Sequence, residues 1–341
     1  MLKSQKTVLG FSCGDFNGVG METLIKSFSN QHLFKQCIPI VYVPKKVVDF
    51  YAPMIGLRHF SYNVIKNEQQ AISGRLNIIN LNQEKFNISP GQHDLNSGKI
   101  SLISLDRCIR AIKNKSLDAM VTLPIVKNNI PYLGSSFSGH TEYLEREFKS
   151  NYSLMFLVSE KVNVATVTNH VPISQVSKFI TQSNLTIKIR MLIQSLNEDF
   201  LIHRPKIAVL GLNPHAGDEG LVGGEEIDII KPVIKNFFSK AELVYGPYSA
   251  DGFFGTSSHK KFDAVLGMYH DQSLIPFKTL SFGRGVNFTA GLPIIRTSPD
   301  HGVAYDIAGR GCADESSLIE AILLACKIQK NRVVSFQNKH G

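Results

Sequence analysis

The chain has 341 residues, enough for two domains of ordinary size or one large one, so a small disulfide- or metal-stapled module is excluded. Hydrophobic residues make up 43% and charged residues 19%, which allows a sizeable core and argues against a disordered chain. The net charge is +9, yet the longest runs of adjacent cations are the pairs Lys45-Lys46 and Lys260-Lys261 and tryptophan is absent, so neither a basic tract nor a base-stacking platform for nucleic acid is present.

In chain order, Thr7 to Ser12 is β-rich and runs into the turn Gly14-Asp15-Phe16-Asn17-Gly18-Val19-Gly20, after which Met21 to Phe28 is helical in pattern: strand, glycine turn, helix. Ile38 to Val43 reads as a second strand. Leu102, Leu105, Ile109 and Ile112 follow helical 3-4-3 spacing and predict an amphipathic helix over Asn96 to Lys113. Ala119 to Thr122, Met155 to Val158 and Val162 to Thr168 are compact strands, and Leu185 to Leu196 is helical again. Strands at Lys206 to Leu212 and Asp263 to Met268 precede a last helix whose start, Ser317-x-x-Glu320, has capping-box spacing. Alternating strands and helices predict an α/β fold with a largely parallel sheet. No apolar run reaches the ~18–20 residues of a membrane span, and the N-terminal stretch is too short for a signal peptide. The five scattered cysteines lack any Cys-x-x-Cys pair and read as free thiols of a cytoplasmic protein.

Three strands end in the same way. Val162 to Thr168 runs into Asn169-His170, Lys206 to Leu212 into Asn213-Pro214-His215, and Asp263 to Met268 into Tyr269-His270-Asp271. Ligands bind at the carboxyl ends of parallel strands, so His170, His215 and His270 are candidate ligands of one divalent metal with a position open to substrate. The alternative is that each imidazole merely caps its own strand.

Other segments hold polar groups without a single reading. Ser138-Gly139-His140-Thr141-Glu142 offers a hydroxyl and an imidazole, or simply a helix start capped by Ser138 or Thr141. Lys278, Arg284, Asn287 and Arg296 lie in a glycine- and turn-rich region and suit a phosphate or carboxylate, or plain surface solvation. No Gly-x-Gly-x-x-Gly follows the first strand and no P-loop occurs, which disfavours a standard dinucleotide fold. The glycine-dense run from Asp300 to Gly311 is a candidate for accepting ribose hydroxyls.

Together these stretches resemble the 4-hydroxythreonine-4-phosphate dehydrogenase family of vitamin B6 biosynthesis. The resemblance spans Gly14-Asp15 to Gly20, Ser138 to Glu142, Thr168-Asn169-His170-Val171-Pro172, Gly211 to Gly217, Tyr269-His270-Asp271-Gln272, and nearly all of Phe282 to Gly311. It implies two α/β/α domains around a cleft, in the isocitrate and isopropylmalate dehydrogenase manner, with non-Rossmann dinucleotide binding. Residues 1–130 with 300–341 are expected to form the dinucleotide side, and 131–299 the metal and dimer-interface domain.

Residue by residue, the resemblance implies a divalent metal (Zn, Co or Mg) on His170, His215 and His270, with the third supplied by the partner subunit of a homodimer that shares its active sites. His140, Thr141, Lys278, Asn287 and Arg296 match substrate-contacting positions. Lys278 and Asp251 are the catalytic candidates, while Gly302, Asp306 and Gly309 fall in the loop for NAD or NADP. The expected activity is metal-dependent oxidation of a phosphorylated hydroxy-amino acid, with neither nucleic acid nor membrane as partner. A dehydrogenase for another four-carbon hydroxy-acid phosphate (erythronate or threonate phosphate) fits the same motifs, and a phosphate acyltransferase-like enzyme or a metal-binding scaffold are the rivals of other classes. Phe16, Met21, Leu123 and Ser273 depart from the family pattern without removing a chemical group from the proposed site.

Overall fold

The first strand, β1 (Thr7–Ser12), leads through the predicted glycine turn into α1 (Gly20–Ser29), followed by β2 (Cys37–Val43), α2 (Lys45–Met54), β3 (Tyr62–Ile65), β4 (Leu76–Asn80), α3 (Leu95–Lys113), β5 (Ala119–Thr122) and α4 (His140–Glu147). Next come β6 (Leu154–Val158), β7 (Val164–Thr166), α5 (Val176–Phe179), α6 (Gln182–Glu198), β8 (Ile207–Leu210), α7 (Lys231–Phe238), β9 (Val244–Tyr248), α8 (Ala250–Gly255), β10 (Ala264–Gly267), α9 (His270–Ser281) and β11 (Val286–Ala290). The chain finishes with β12 (Arg296–Pro299) and α10 (Ser316–His340). This computed structural model describes residues 6–29, 31–82, 86–130 and 139–340.

The chain divides into two units, residues 1–151 with 292–330, and 152–291 with 331–341. In the first, the strand order β3-β4-β2-β1-β5-β12 is parallel throughout. Helix α3 is held at its start by Asp94, whose side chain accepts from the Asn96 amide, and it buries Leu105, Cys108, Ile109 and Ile112 against Ile40 and Met120. Leu144 of α4 joins that cluster, so α4 counts with the first unit, although the sequence reading changed units at 130/131.

In the second unit the order is β11-β6-β7-β10-β8-β9. Strands β7, β10, β8 and β9 are parallel, whereas β6 runs antiparallel to both β7 and β11. Its core packs Met155, Val164, Ala208 and Val265 against Phe253 and Phe277. All five cysteines are free.

Several local expectations change. The region from Lys278 to Arg296 is not mainly turn: it closes α9 and forms β11, and Arg296 opens the buried strand β12. Helix α9 escaped notice because its polar start and internal Pro276 blur the helical period. At α10 the Ser317 hydroxyl accepts the Asp300 amide from the preceding loop, and the first-turn amide of Ser316 goes to Asp314, so no Ser317–Glu320 capping box begins the helix. Helix α4 starts after Gly139 with no side-chain cap, so Thr141 is not the cap, and Ser138 lies outside the described residues.

One close approach gives a test of packing. A Cβ at Gly98, inside α3, would lie 1.8 Å from the Asn129 carbonyl oxygen. Alanine in a helix interior is ordinarily better than glycine by about 1 kcal/mol. Here Gly98→Ala is expected to destabilise instead, by about 1–3 kcal/mol, measured as a lower urea midpoint.

Candidate active site

In the second unit, β7, β10 and β8 are neighbours running in one direction, and His170, His270 and His215 follow their carboxyl ends. The loops beyond the strands are tied to one another. Thr168 donates its hydroxyl to the Met268 carbonyl at 2.8 Å, joining the chain before His170 to that before His270. Gln272 accepts from the Met268 amide at 2.6 Å and donates to the Gly211 carbonyl at 2.7 Å, joining the latter to the chain before His215.

The rings of His170 and His270 stand 5.5 Å apart between centroids, tilted by 43°. Two imidazoles on one ion, with metal–nitrogen bonds of about 2.0–2.1 Å splayed tetrahedrally, place their centroids about 5 Å apart, so this pair fits a shared cation. His270 Nδ1 lies 2.7 Å from Asp271 Oδ1, which leaves Nε2 as the nitrogen for a ligand and supplies the outer carboxylate such ligands commonly carry. His215 is exposed on its own turn near Asp251. Among the described residues no three His, Cys, Asp or Glu side chains are gathered closely enough to hold an ion as they stand. The structure thus forms a pair of rings and places the third histidine on the adjoining strand end.

Around His215 lies a cleft of about 640 Å³ lined in part by Asn213, Asp251, Tyr269, Asp271 and Ile275. Asp251, exposed in the first turn of α8, is held below the usual carboxylate range by the Ser249 hydroxyl, then the Gly252 amide, with His215 adding to the effect. Lys278 is exposed near the end of α9. Asn287, on β11, has its Oδ1 shielded from solvent with no hydrogen-bond partner among the described residues, an acceptor waiting for a donor.

In the first unit His140, Thr141 and Arg296 form a second polar group. Arg296 is only 3% exposed, and its Nε and Nη2 donate to Thr122 Oγ1 at 3.0 and 2.7 Å. Burial lowers its pKa to about 10 while Glu142 pulls the other way, so it remains a cation at neutral pH. This overturns the solvation alternative for Arg296. His140, the first residue of α4, is held well below the usual histidine value by burial and by the charges of Arg296 and Lys127, so its imidazole is neutral. Thr141 is half-buried beside it on the same helix.

The loop after β12 belongs to this unit as well. Gly302 is open, Asp306 is exposed, and Gly309 has φ +78° with Pro90 2.6 Å from where a Cβ would be. The Val19 amide donates to Val303, and Lys26 donates to the carbonyls of Gly311 and Ala313, so α1 and its turn hold the loop. Sequence reasoning missed the buried carboxyl of Asp15, which accepts from Asn129 and Tyr305 at 2.8 Å each. It also missed Thr122, which Arg296 needs, and Glu226, buried under the His215 turn. The partners lie 114, 290 and 174 positions apart for the first three bonds, and no local pattern reveals them.

In the second unit the imidazoles of His170 and His270 follow the ends of neighbouring parallel strands, and in the first the guanidinium of Arg296 is buried at the start of β12, in a protein of the α/β class. The profile described as "Pyridoxal phosphate biosynthetic protein PdxA" matches residues 35–325. A 4-hydroxythreonine-4-phosphate dehydrogenase of Bacteroides thetaiotaomicron is 41% identical over 97% of this chain and 91% of its own. The crystal structures of 4-hydroxythreonine-4-phosphate dehydrogenases from Klebsiella pneumoniae and Burkholderia phymatum are similar at 31% and 32% identity, with TM-scores of 0.79 and 0.77. They cover 95% of this chain, and 100% and 99% of their own. The chain belongs to the PdxA family of pyridoxal phosphate biosynthetic proteins, as the motifs suggested.

The neutral state of His140 has a measurable consequence. The folded state resists its protonation while the unfolded state takes it up at about 6.5, so the unfolded chain binds more protons below that pH. Stability is expected to fall as pH drops through 6.5, by up to about 1.4 kcal/mol per pH unit from this group. Urea unfolding of His140→Gln should show a shallower loss between neutral and mildly acidic pH than the parent protein; an identical slope contradicts the assignment.

Proposed function

We propose that this protein oxidises 4-phosphooxy-L-threonine with NAD or NADP to 2-amino-3-oxo-4-phosphooxybutanoate, which loses CO2 to give 3-amino-2-oxopropyl phosphate, as a step of pyridoxal phosphate biosynthesis in the cytoplasm. The observation that carries the reading is the pair His170–His270 at the ends of neighbouring parallel strands, in a chain of this family. His170, His215 and His270 would hold a divalent cation such as Zn, Co or Mg, which supplies charge to stabilise a developing alkoxide and enolate, while a nicotinamide held by the loop of Gly302, Asp306 and Gly309 supplies the hydride acceptor.

The chain's own residues orient the substrate and handle its proton. Arg296, fixed in direction by Thr122 before any ligand arrives, suits the phosphate or carboxylate end, with neutral His140 and Thr141 adding hydrogen bonds that carry no competing charge. Asn287 Oδ1 is a buried acceptor suited to the amino group. Asp251 keeps its charge and so is a weak base; its task is to polarise His215. That leaves Lys278 to take the alcohol's proton and to return one after CO2 loss. The homodimer with shared active sites belongs to the same proposal.

The test follows nucleotide reduction with each candidate substrate, before and after removal of metal by chelation. Reduction with the amino-acid phosphate, lost on chelation and restored by a divalent cation, is expected. Activity confined to erythronate or threonate phosphate, or undiminished by chelation, contradicts the reading. Arg296→Ala should raise KM for the phosphorylated substrate by roughly 10–100-fold, from the loss of a charged hydrogen-bonding group, with a smaller change in KM for the dinucleotide.

A further inference from the structure

His215 sits at the start of a rare backbone conformation. His215, Ala216, Gly217, Asp218 and Glu219 all have positive φ, between 42° and 81°, so the segment forms a left-handed turn of five successive residues. Residues with a Cβ visit this region singly as a rule, and four of these five are not glycine. A turn of this kind persists only where its surroundings over-determine it.

Glu226 supplies much of that determination. It is 1% exposed and opens a π-helical turn, Glu226–Ile230, immediately before α7. Its Oε1 accepts from the Leu212 amide at 2.7 Å and the Asn213 amide at 2.8 Å, and its Oε2 accepts from Asn213 Nδ2 at 2.9 Å. Glu225 accepts from the same Asn213 nitrogen at 2.8 Å. These bonds anchor the two residues that precede Pro214 and His215, where the chain leaves β8. The fit is tight on both sides, since a Cβ at Gly211 would lie 3.0 Å from Glu226 Oε1 and one at Gly217 2.7 Å from Oε2. The carboxyl is therefore enclosed by the turn it holds, and π-helical turns recur at functional sites where a side chain must be aimed off the regular helical track.

We propose that Glu226 is a positioning residue for His215: its buried carboxyl clamps the left-handed turn and thereby sets the affinity of the three-histidine set for a divalent cation. The inference rests on the reading that His170, His215 and His270 hold that cation. It adds a residue that touches neither metal nor substrate. Outer groups that orient a ligand typically change metal affinity by about 10–100-fold when removed.

The test is titration of the metal-free full-length protein with Co2+, read by visible absorption, for the parent, Glu226→Ala, Glu226→Gln and His215→Ala, with circular dichroism and melting recorded for each. The parent is expected to bind cobalt and His215→Ala to lose most of that binding. Glu226→Ala should bind about 10–100-fold more weakly while folded. Glu226→Gln keeps an acceptor for the two amides but turns the contact with Asn213 Nδ2 into donor against donor, so an intermediate weakening of at least about threefold is expected. If Glu226→Ala does not fold, the glutamine variant decides by the same threshold. A folded Glu226 variant that titrates like the parent, even with a lowered melting temperature, overturns the positioning role while leaving the histidine reading intact. Parent and His215→Ala binding cobalt alike would instead remove the histidine reading and the inference with it.

Discussion

Hydrogen bonds made just beyond the strands, rather than within them, set where the loops that carry the second unit's histidines stand. Parallel strands β7, β10 and β8 already direct their carboxyl ends the same way, but strand pairing alone fixes nothing about the side chains that follow. Thr168 reaching Met268, Gln272 spanning Met268 and Gly211, and Glu226 gripping Leu212 and Asn213 convert three loose exits into one connected edge. Each of these polar groups is satisfied by main chain of a neighbouring loop, so displacing one loop leaves a donor or acceptor unmet in the next.

The first unit solves a different problem, which is to keep a cation out of water. Arg296 receives a hydroxyl from the end of β5, a carboxylate within electrostatic reach on α4, and an imidazole that stays uncharged beside it. An uncharged neighbour matters because a protonated His140 would add a second positive charge to a buried site. The loop after β12 is secured separately by α1, through Lys26 and through the Val19 amide.

Much of this was legible in the sequence. Hydrophobic spacing found α3 within one residue of its start, and the strand–turn–helix of residues 7–28 is present as read. The histidines stood out because three strands end alike, a regularity visible without coordinates. Polar partnerships were not legible: Asp15 with Tyr305, or Arg296 with Thr122, join positions far apart, and nothing in local spacing distinguishes an arginine that will be buried from one left in solvent. Left-handed backbone at His215 was equally hidden, since only one of its five residues is glycine. The two acidic residues Glu225 and Glu226 look like an ordinary solvated pair until the fold buries the second.

Whether distant imidazoles share one cation is the claim on which the proposed chemistry turns. Anomalous diffraction at the cobalt edge, from crystals grown with that metal, tests it most directly. The account predicts one strong peak about 2 Å from nitrogens of His170, His215 and His270, with His270 bound through Nε2 and Asp271 still on Nδ1. Cobalt absent from that edge, or held by other side chains while these rings bond only to neighbouring main chain, would contradict it.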